Sequence, residues 1–207
     1  MNFLSLFVAI PVLMMLVLLV SRSLNGIRAV MVTGATLLLG LAVMLVYMYI
    51  GERGAGNSAE MLFCADRLWF EPLNIHYAVG VDGISVVMLL LSAVIVFTGV
   101  FASWRLAVQQ KEYFMWFCLL ATGVFGFFIS IDLFTMFLFY EVALIPMYLL
   151  IGVWGSGRKE YAAMKLTLML MGGSAFLLVG ILGIYFHSAP EGGSYTMNLL
   201  EIARVHI

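Results

Sequence analysis

Charge is what this sequence has least of. Only 10% of its 207 residues are Asp, Glu, Lys or Arg, against 64% hydrophobic, and the formal net charge is −1. Soluble domains carry about 25% charged residues, so a soluble globular chain is excluded. The ten basic residues form no run, and a near-neutral chain without a basic patch has nothing to hold a phosphate backbone. Nucleic acid is therefore excluded as a partner. Two cysteines, Cys64 in a polar loop and Cys118 in an apolar stretch, supply neither a disulfide framework nor a metal cluster, and a bridge between them is not expected. There is no Gly-rich strand-to-helix turn and no ligand set for haem or an iron–sulfur cluster. The three histidines, His76, His187 and His206, lie far apart in the chain. No cofactor and no metal is expected in this chain.

What is present is long apolar runs. A helix needs about 20 apolar residues to cross the hydrocarbon core, and six segments qualify: 3–20, 29–50, 84–103, 114–131, 133–154 and 162–186. None shows the period-two alternation of a barrel strand. The expected fold class is all-α, a polytopic transmembrane helix bundle forming a single domain over 1–207. Met1–Val20 has no basic segment before it and no small-residue cleavage site after it, so it reads as a retained first helix and not a signal peptide. The fourth and fifth spans are separated only by Asp132, which demands a very tight turn.

The one long loop, 51–83, begins with flexible composition and continues as "LWFEPLNIHYAVGVDG". Aromatic and β-branched residues there, with turn signals at Pro72, Asn74 and Gly80, predict a short hairpin. Asp82, directly before the third span, is placed to be its N-cap.

Charge asymmetry gives an orientation. Loops after spans one, three and five hold Arg22, Arg28, Arg105, Lys111, Arg158 and Lys159, with Lys165 just inside span six; the other side holds Arg53, Arg67 and Arg204. Basic residues favour the cytoplasmic side. Seven against three predicts an N-terminus outside the cytoplasm, with an even number of spans returning the chain outside. The acidic residues Glu52, Glu60, Asp66, Glu71, Asp82, Asp132, Glu191 and Glu201 fall on the outer side.

Glu141 is the only acidic residue within a predicted span. At 1.5 Å per residue it lies about 13 Å from Asp132 and about 21 Å from Gly155, near mid-membrane. An ionisable group there costs roughly 2.5–3.5 kcal/mol on insertion scales and normally faces a bundle interior or water. It is either a protonated, hydrogen-bonded structural residue or a carboxylate that changes protonation as ions pass. Pro146, five residues on, has no N–H to donate to the Val142 carbonyl. A freed carbonyl beside a mid-membrane carboxylate suggests a hydrated kink. Lys165, about 10 Å deep from the basic face, is either a cation reaching Glu141 through water or a lysine snorkelling to the interface. "MGGSAF", Met171–Phe176, supplies small residues for close helix packing. These residues alone fit a transporter, a proton-channelling subunit or a sensor.

Three motifs narrow the field. "VGVDGIS" (Val79–Ser85), "YEVALIPMYLLIGVWG" (Tyr140–Gly155) and "RKEYAAMKLTLMLMGGS" (Arg158–Ser174), in this order, resemble the antiporter-like subunit M family of proton-pumping NADH–quinone oxidoreductase, respiratory complex I, the bacterial counterpart of mitochondrial subunit 4. The resemblance covers almost the whole chain, most weakly in the first fifty residues. It implies that Glu141 is the proton-carrying glutamate of the fifth helix and that Lys165 matches the family's lysine in the "AAxK" stretch. It implies a fold of about fourteen helices, of which these six form the N-terminal portion; the seventh helix, with the lysine that pairs with the glutamate, lies beyond the chain. It implies a multi-pass protein of the bacterial cytoplasmic membrane, with neighbouring antiporter-like and other complex I membrane subunits as partners. NADH, flavin, iron–sulfur clusters and quinone are implied in partner subunits. A subunit of a multisubunit sodium/proton antiporter, a membrane subunit of a formate- or hydrogen-linked complex, and a non-pumping membrane scaffold are the rival expectations.

Overall fold

The structure, a computed structural model, describes residues 2–21, 23–70, 75–106, 109–188 and 195–203. Arg22, Glu71, Pro72, Asn74, Glu191, Arg204 and His206 lie outside the described residues. Among the described residues, six helices are long and apolar enough to span: α1 (Leu6–Val20, preceded by a 3-10 turn at Phe3–Ser5), α2 (Leu24–Gly54), α3 (Gly83–Ala102), α4 (Gln110–Ile129), α5 (Leu133–Trp154) and α6 (Lys159–His187). Between α2 and α3 lie two strands, β1 (Leu62–Phe70) and β2 (Ile75–Val81), and a single turn, α7 (Leu199–Ile202), follows α6.

The spans match the hydropathy reading, but α2, α4 and α6 run longer than their apolar runs. α2 starts at Leu24 because Ser23, in extended conformation, caps it by accepting the Gly26 N–H at 3.1 Å. It runs on through Glu52 and Arg53, where the guanidinium donates to the Tyr49 hydroxyl one turn back. Polar side chains end an apolar run without ending a helix. The turn between α4 and α5 comprises three residues, Ser130, Ile131 and Asp132, and not Asp132 alone.

The expected hairpin is present: β1 and β2 pair antiparallel, Asp66 opposite Ala78 and Arg67 opposite Tyr77, with register shifts at Leu62/Ala65 and Leu68/Phe70. Phe63, beside the first shift, has φ 58°, and its carbonyl accepts from the Asn2 side chain at 2.7 Å, which ties the start of α1 to the hairpin. Asp82 caps α3 as expected, its carboxylate accepting the Ser85 N–H at 2.7 Å.

Helices α1 to α4 share one large core in which Phe7, Leu18, Met31, Leu38, Leu89, Phe114 and Phe125 are wholly buried. α5 leans on α4 and α6 on α5. Close approach of α4 and α5 requires glycine: a Cβ at Gly123 would sit 2.8 Å from the Ala143 Cβ and 2.9 Å from the Phe139 carbonyl oxygen. Four-tenths of α4 is buried but only about a tenth of α5 and of α6, so these two form an open flank.

The two ends of the bundle differ. One, the hairpin end, gathers the start of α1, the hairpin, the α4–α5 turn and residues 195–203. The other, the basic end, carries Arg28, Arg105, Lys111, Arg158 and Lys159. There Lys111 donates to the Leu19 and Ser21 carbonyls at the end of α1, and Lys159 to the Val153 carbonyl at the end of α5. Arg28 lies over the Trp104 ring and donates to its carbonyl at 3.0 Å.

Candidate functional site

Glu141 stands nine residues into α5, between two very different surroundings. Toward α4 lies an apolar cavity of about 240 Å³ bordered by Gly123, Phe127, Tyr140, Ala143 and Leu144, with Leu170 from α6. Glu141 does not border it. Its carboxylate is half-buried on the face of α5 that also carries Ile145 and Tyr148, which are 61% and 40% exposed. No hydrogen bond or ion pair to another described residue engages it. Pro146 is buried within α5, and its missing N–H leaves the Val142 carbonyl, next to Glu141, without its helical donor.

The structure does not bring Lys165 toward Glu141. The buried residues of α6, Ala163, Ser174, Ile181 and Tyr185, form one stripe, the face applied to α5 and the segment beyond α6. At 100° per residue, Lys165 lies on the opposite face of α6. It is exposed there, with Leu168, Met169 and Phe176 on the same side. Axial level separates the pair as well. A Cβ on Gly152 would lie 3.6 Å from the Ala163 Cβ, which fixes the antiparallel register of α5 and α6. That register puts Lys165 level with Leu150, about 13 Å along the axis from Glu141.

In the sequence Asp132 stands out as the residue between the fourth and fifth spans and as one charge among several on the outer side. In the fold it is fully buried and holds the hairpin end together. One carboxylate oxygen accepts the Thr135 N–H at 2.9 Å and so caps α5; the other accepts the His76 N–H of β2 at 3.3 Å. Thr135 returns a bond to the His76 carbonyl at 3.0 Å, and the imidazole of His76 reaches Asp66 at 2.6 Å. Ile131 donates to the Ala78 carbonyl, Leu133 to that of Met197, and Leu199 donates back to Ile131. The helix carrying Glu141 is thus fastened at its first turn to both the hairpin and the last described segment. An available signal was the spacing Asp132-x-x-Thr135 before an apolar run, which repeats that of Asp82-x-x-Ser85.

The described residues form a bundle of six apolar helices, with a carboxylate near the middle of α5 and a buried proline five residues beyond it. Residues 130–205 match the family described as NADH:quinone oxidoreductase/Mrp antiporter, transmembrane. Over 125 residues it is 37% identical to NADH-quinone oxidoreductase subunit M of Rhodobacter capsulatus, a match covering 60% of this chain and 24% of that protein. Its fold is shared with a chain of respiratory complex I from Thermus thermophilus at a TM-score of 0.76, with 24% identity, 96% of this chain and 38% of that one covered. A chain of the Mrp complex from a Dietzia species aligns at 0.72, with 20% identity, 98% and 21% covered. Both solved relatives sit in multi-subunit complexes. The chain spans about a quarter of the length of the curated relative, and the matched stretch of the family includes Glu141, Pro146 and Lys165.

Proposed function

We propose that this chain is a proton-translocating membrane subunit of an NADH–quinone oxidoreductase, coupling electron transfer in partner subunits to proton movement across the membrane. The observation that carries it is Glu141: a carboxylate near mid-span, on a helix with a proline beside it, with no partner within the described bundle. A carboxylate whose only task was structural would be expected to spend its oxygens on a neighbouring helix. Whether such a group holds or releases its proton is governed by desolvation against nearby cations, so a cation that approaches and withdraws would load and unload it. The lysine of a seventh helix is the candidate cation. Lys165, on the far face of α6, acts on Glu141 only around that helix and at long range.

The similarity to subunit M supports the oxidoreductase over the sodium/proton antiporter. NADH, flavin, iron–sulfur clusters and quinone would then belong to partner subunits, with neighbouring antiporter-like subunits flanking this one. The resemblance to the family supports a place in the bacterial cytoplasmic membrane, and the basic end of the bundle suits the cytoplasmic side. The test uses inside-out membrane vesicles from cells making this chain. NADH addition should acidify the lumen without sodium, and disruption of the chain's gene should abolish that acidification. Sodium-dependent proton exchange without NADH would assign it to the antiporter class.

A further inference from the structure

We propose that Ser174 is a positioning residue for Glu141: its hydroxyl faces the carboxylate across the α5–α6 seam and donates a hydrogen bond to it when the carboxylate is ionised. This rests on the reading of Glu141 as a proton carrier.

The geometry comes from helical register. Gly152 and Ala163 meet across the seam, the glycine's ideal Cβ lying 3.6 Å from the alanine's. Glu141 lies eleven residues before Gly152, and Ser174 eleven residues after Ala163. Eleven residues are about three turns and return a side chain to within about 20° of its starting azimuth. In an antiparallel pair, Glu141 therefore lies level with Ser174, about 16 Å nearer the hairpin end, at the rim of the seam, because the same stripe of α5 carries the exposed Ile145 and Tyr148. The seam stays closed beyond that level, because Leu133 of α5 is buried in one cluster with Ile181 and Tyr185 of α6. The pair is thus bracketed by contacts on both sides.

Ser174 is suited to the task. It is 7% exposed, and in the buried stripe of α6 its neighbours are an alanine, an isoleucine and a tyrosine. Its hydroxyl donates to the Met171 carbonyl of its own helix at 3.0 Å. That internal bond satisfies the donor while Glu141 is neutral, so no polar group is stranded. An ionised carboxylate is the stronger acceptor, since charge-assisted bonds are about twice as strong as neutral ones. A rotation about χ1 moves the donor from one acceptor to the other. A merely structural serine, back-bonded to tighten a helix contact, would be replaceable by alanine without consequence for Glu141.

The experiment uses the assembled complex in native membranes. The infrared difference band of the Glu141 carboxyl is identified by its loss in Glu141→Gln. In Ser174→Ala that band should shift and NADH-driven pumping slow by about tenfold; Ser174→Thr, which restores a hydroxyl, should return both toward the parent. In parallel, a Glu141→Cys/Ser174→Cys pair should cross-link under oxidation as readily as the reference pair Gly152→Cys/Ala163→Cys, and Glu141→Cys/Lys165→Cys should not. A Glu141 band unmoved by Ser174→Ala, or a reference pair that cross-links while 141/174 does not, overturns the role of Ser174. A Glu141→Gln variant that removes no band and pumps normally overturns the proton-carrier reading instead, and the proposal falls with it.

Discussion

The carboxylate of Asp132 accepts the backbone N–H of His76, 56 positions away in sequence, while its other oxygen caps α5 through Thr135. A fully buried carboxylate is tolerated here because both oxygens are engaged by N–H donors and one of them belongs to a helix N-terminus. Replacing Asp132 by Ala strands both donors. The loss should be about 1–3 kcal/mol of stability, read as a lower thermal midpoint of the solubilised complex and faster proteolysis of the hairpin. Asp132→Asn, which keeps an acceptor for one donor, should fall between.

Close contact of α4 and α5 depends on Gly123, where a methyl group would meet both the Ala143 Cβ and the Phe139 carbonyl oxygen. The backbone atom cannot rotate away. Gly123→Ala should therefore cost about 1–3 kcal/mol through overpacking, seen as reduced thermal stability. By contrast Gly172→Ala, at an open site on α6 with nothing within 4 Å, should be tolerated.

The native cysteines offer a direct test of orientation. Cys64 is exposed on β1 at the hairpin end, and Cys118 is buried in α4. Desolvation pushes the Cys64 thiol above its ordinary range, its own backbone hydrogen bond offsetting part of this. Only the thiolate reacts, so labelling should be slow at neutral pH and keep accelerating as pH rises past the usual thiol range. A membrane-impermeant maleimide applied to intact cells should mark Cys64 if the hairpin end faces outward. Labelling only in inside-out vesicles would reverse the topology.

Lys165 and Glu141 should respond differently to substitution. Lys165 lies on the exposed face of α6, away from α5, so Lys165→Ala should slow pumping far less than Glu141→Gln. A loss equal to that of Glu141→Gln, measured in the same membranes, would show that Lys165 acts at the centre of the proton path despite its azimuth.

The six spans, the Asp82 cap and the hairpin are legible in the sequence because hydropathy, capping and turn signals are local. The directions in which Glu141 and Lys165 point are not. α5 and α6 are apolar nearly all round, so they carry no amphipathic stripe from which a facing could be read. Azimuth is set by contacts such as Gly152 against Ala163, whose small size shows in sequence only as permission to approach. Asp132 is obscured for another reason: its second partner, His76, comes from a strand on the far side of α3. Sequence spacing reveals half of its hydrogen bonding.

The central claim is that Glu141 carries the proton. Its most direct test is NADH-driven proton pumping in vesicles from cells whose assembled complex bears Glu141→Gln, with Glu141→Asp alongside. The account predicts loss of most pumping and, since the two are coupled, of most quinone reduction in the Gln variant, with part of both retained in the Asp variant because that group still ionises. A fully assembled Gln variant that pumps at the parental rate would contradict it and leave Glu141 a structural residue.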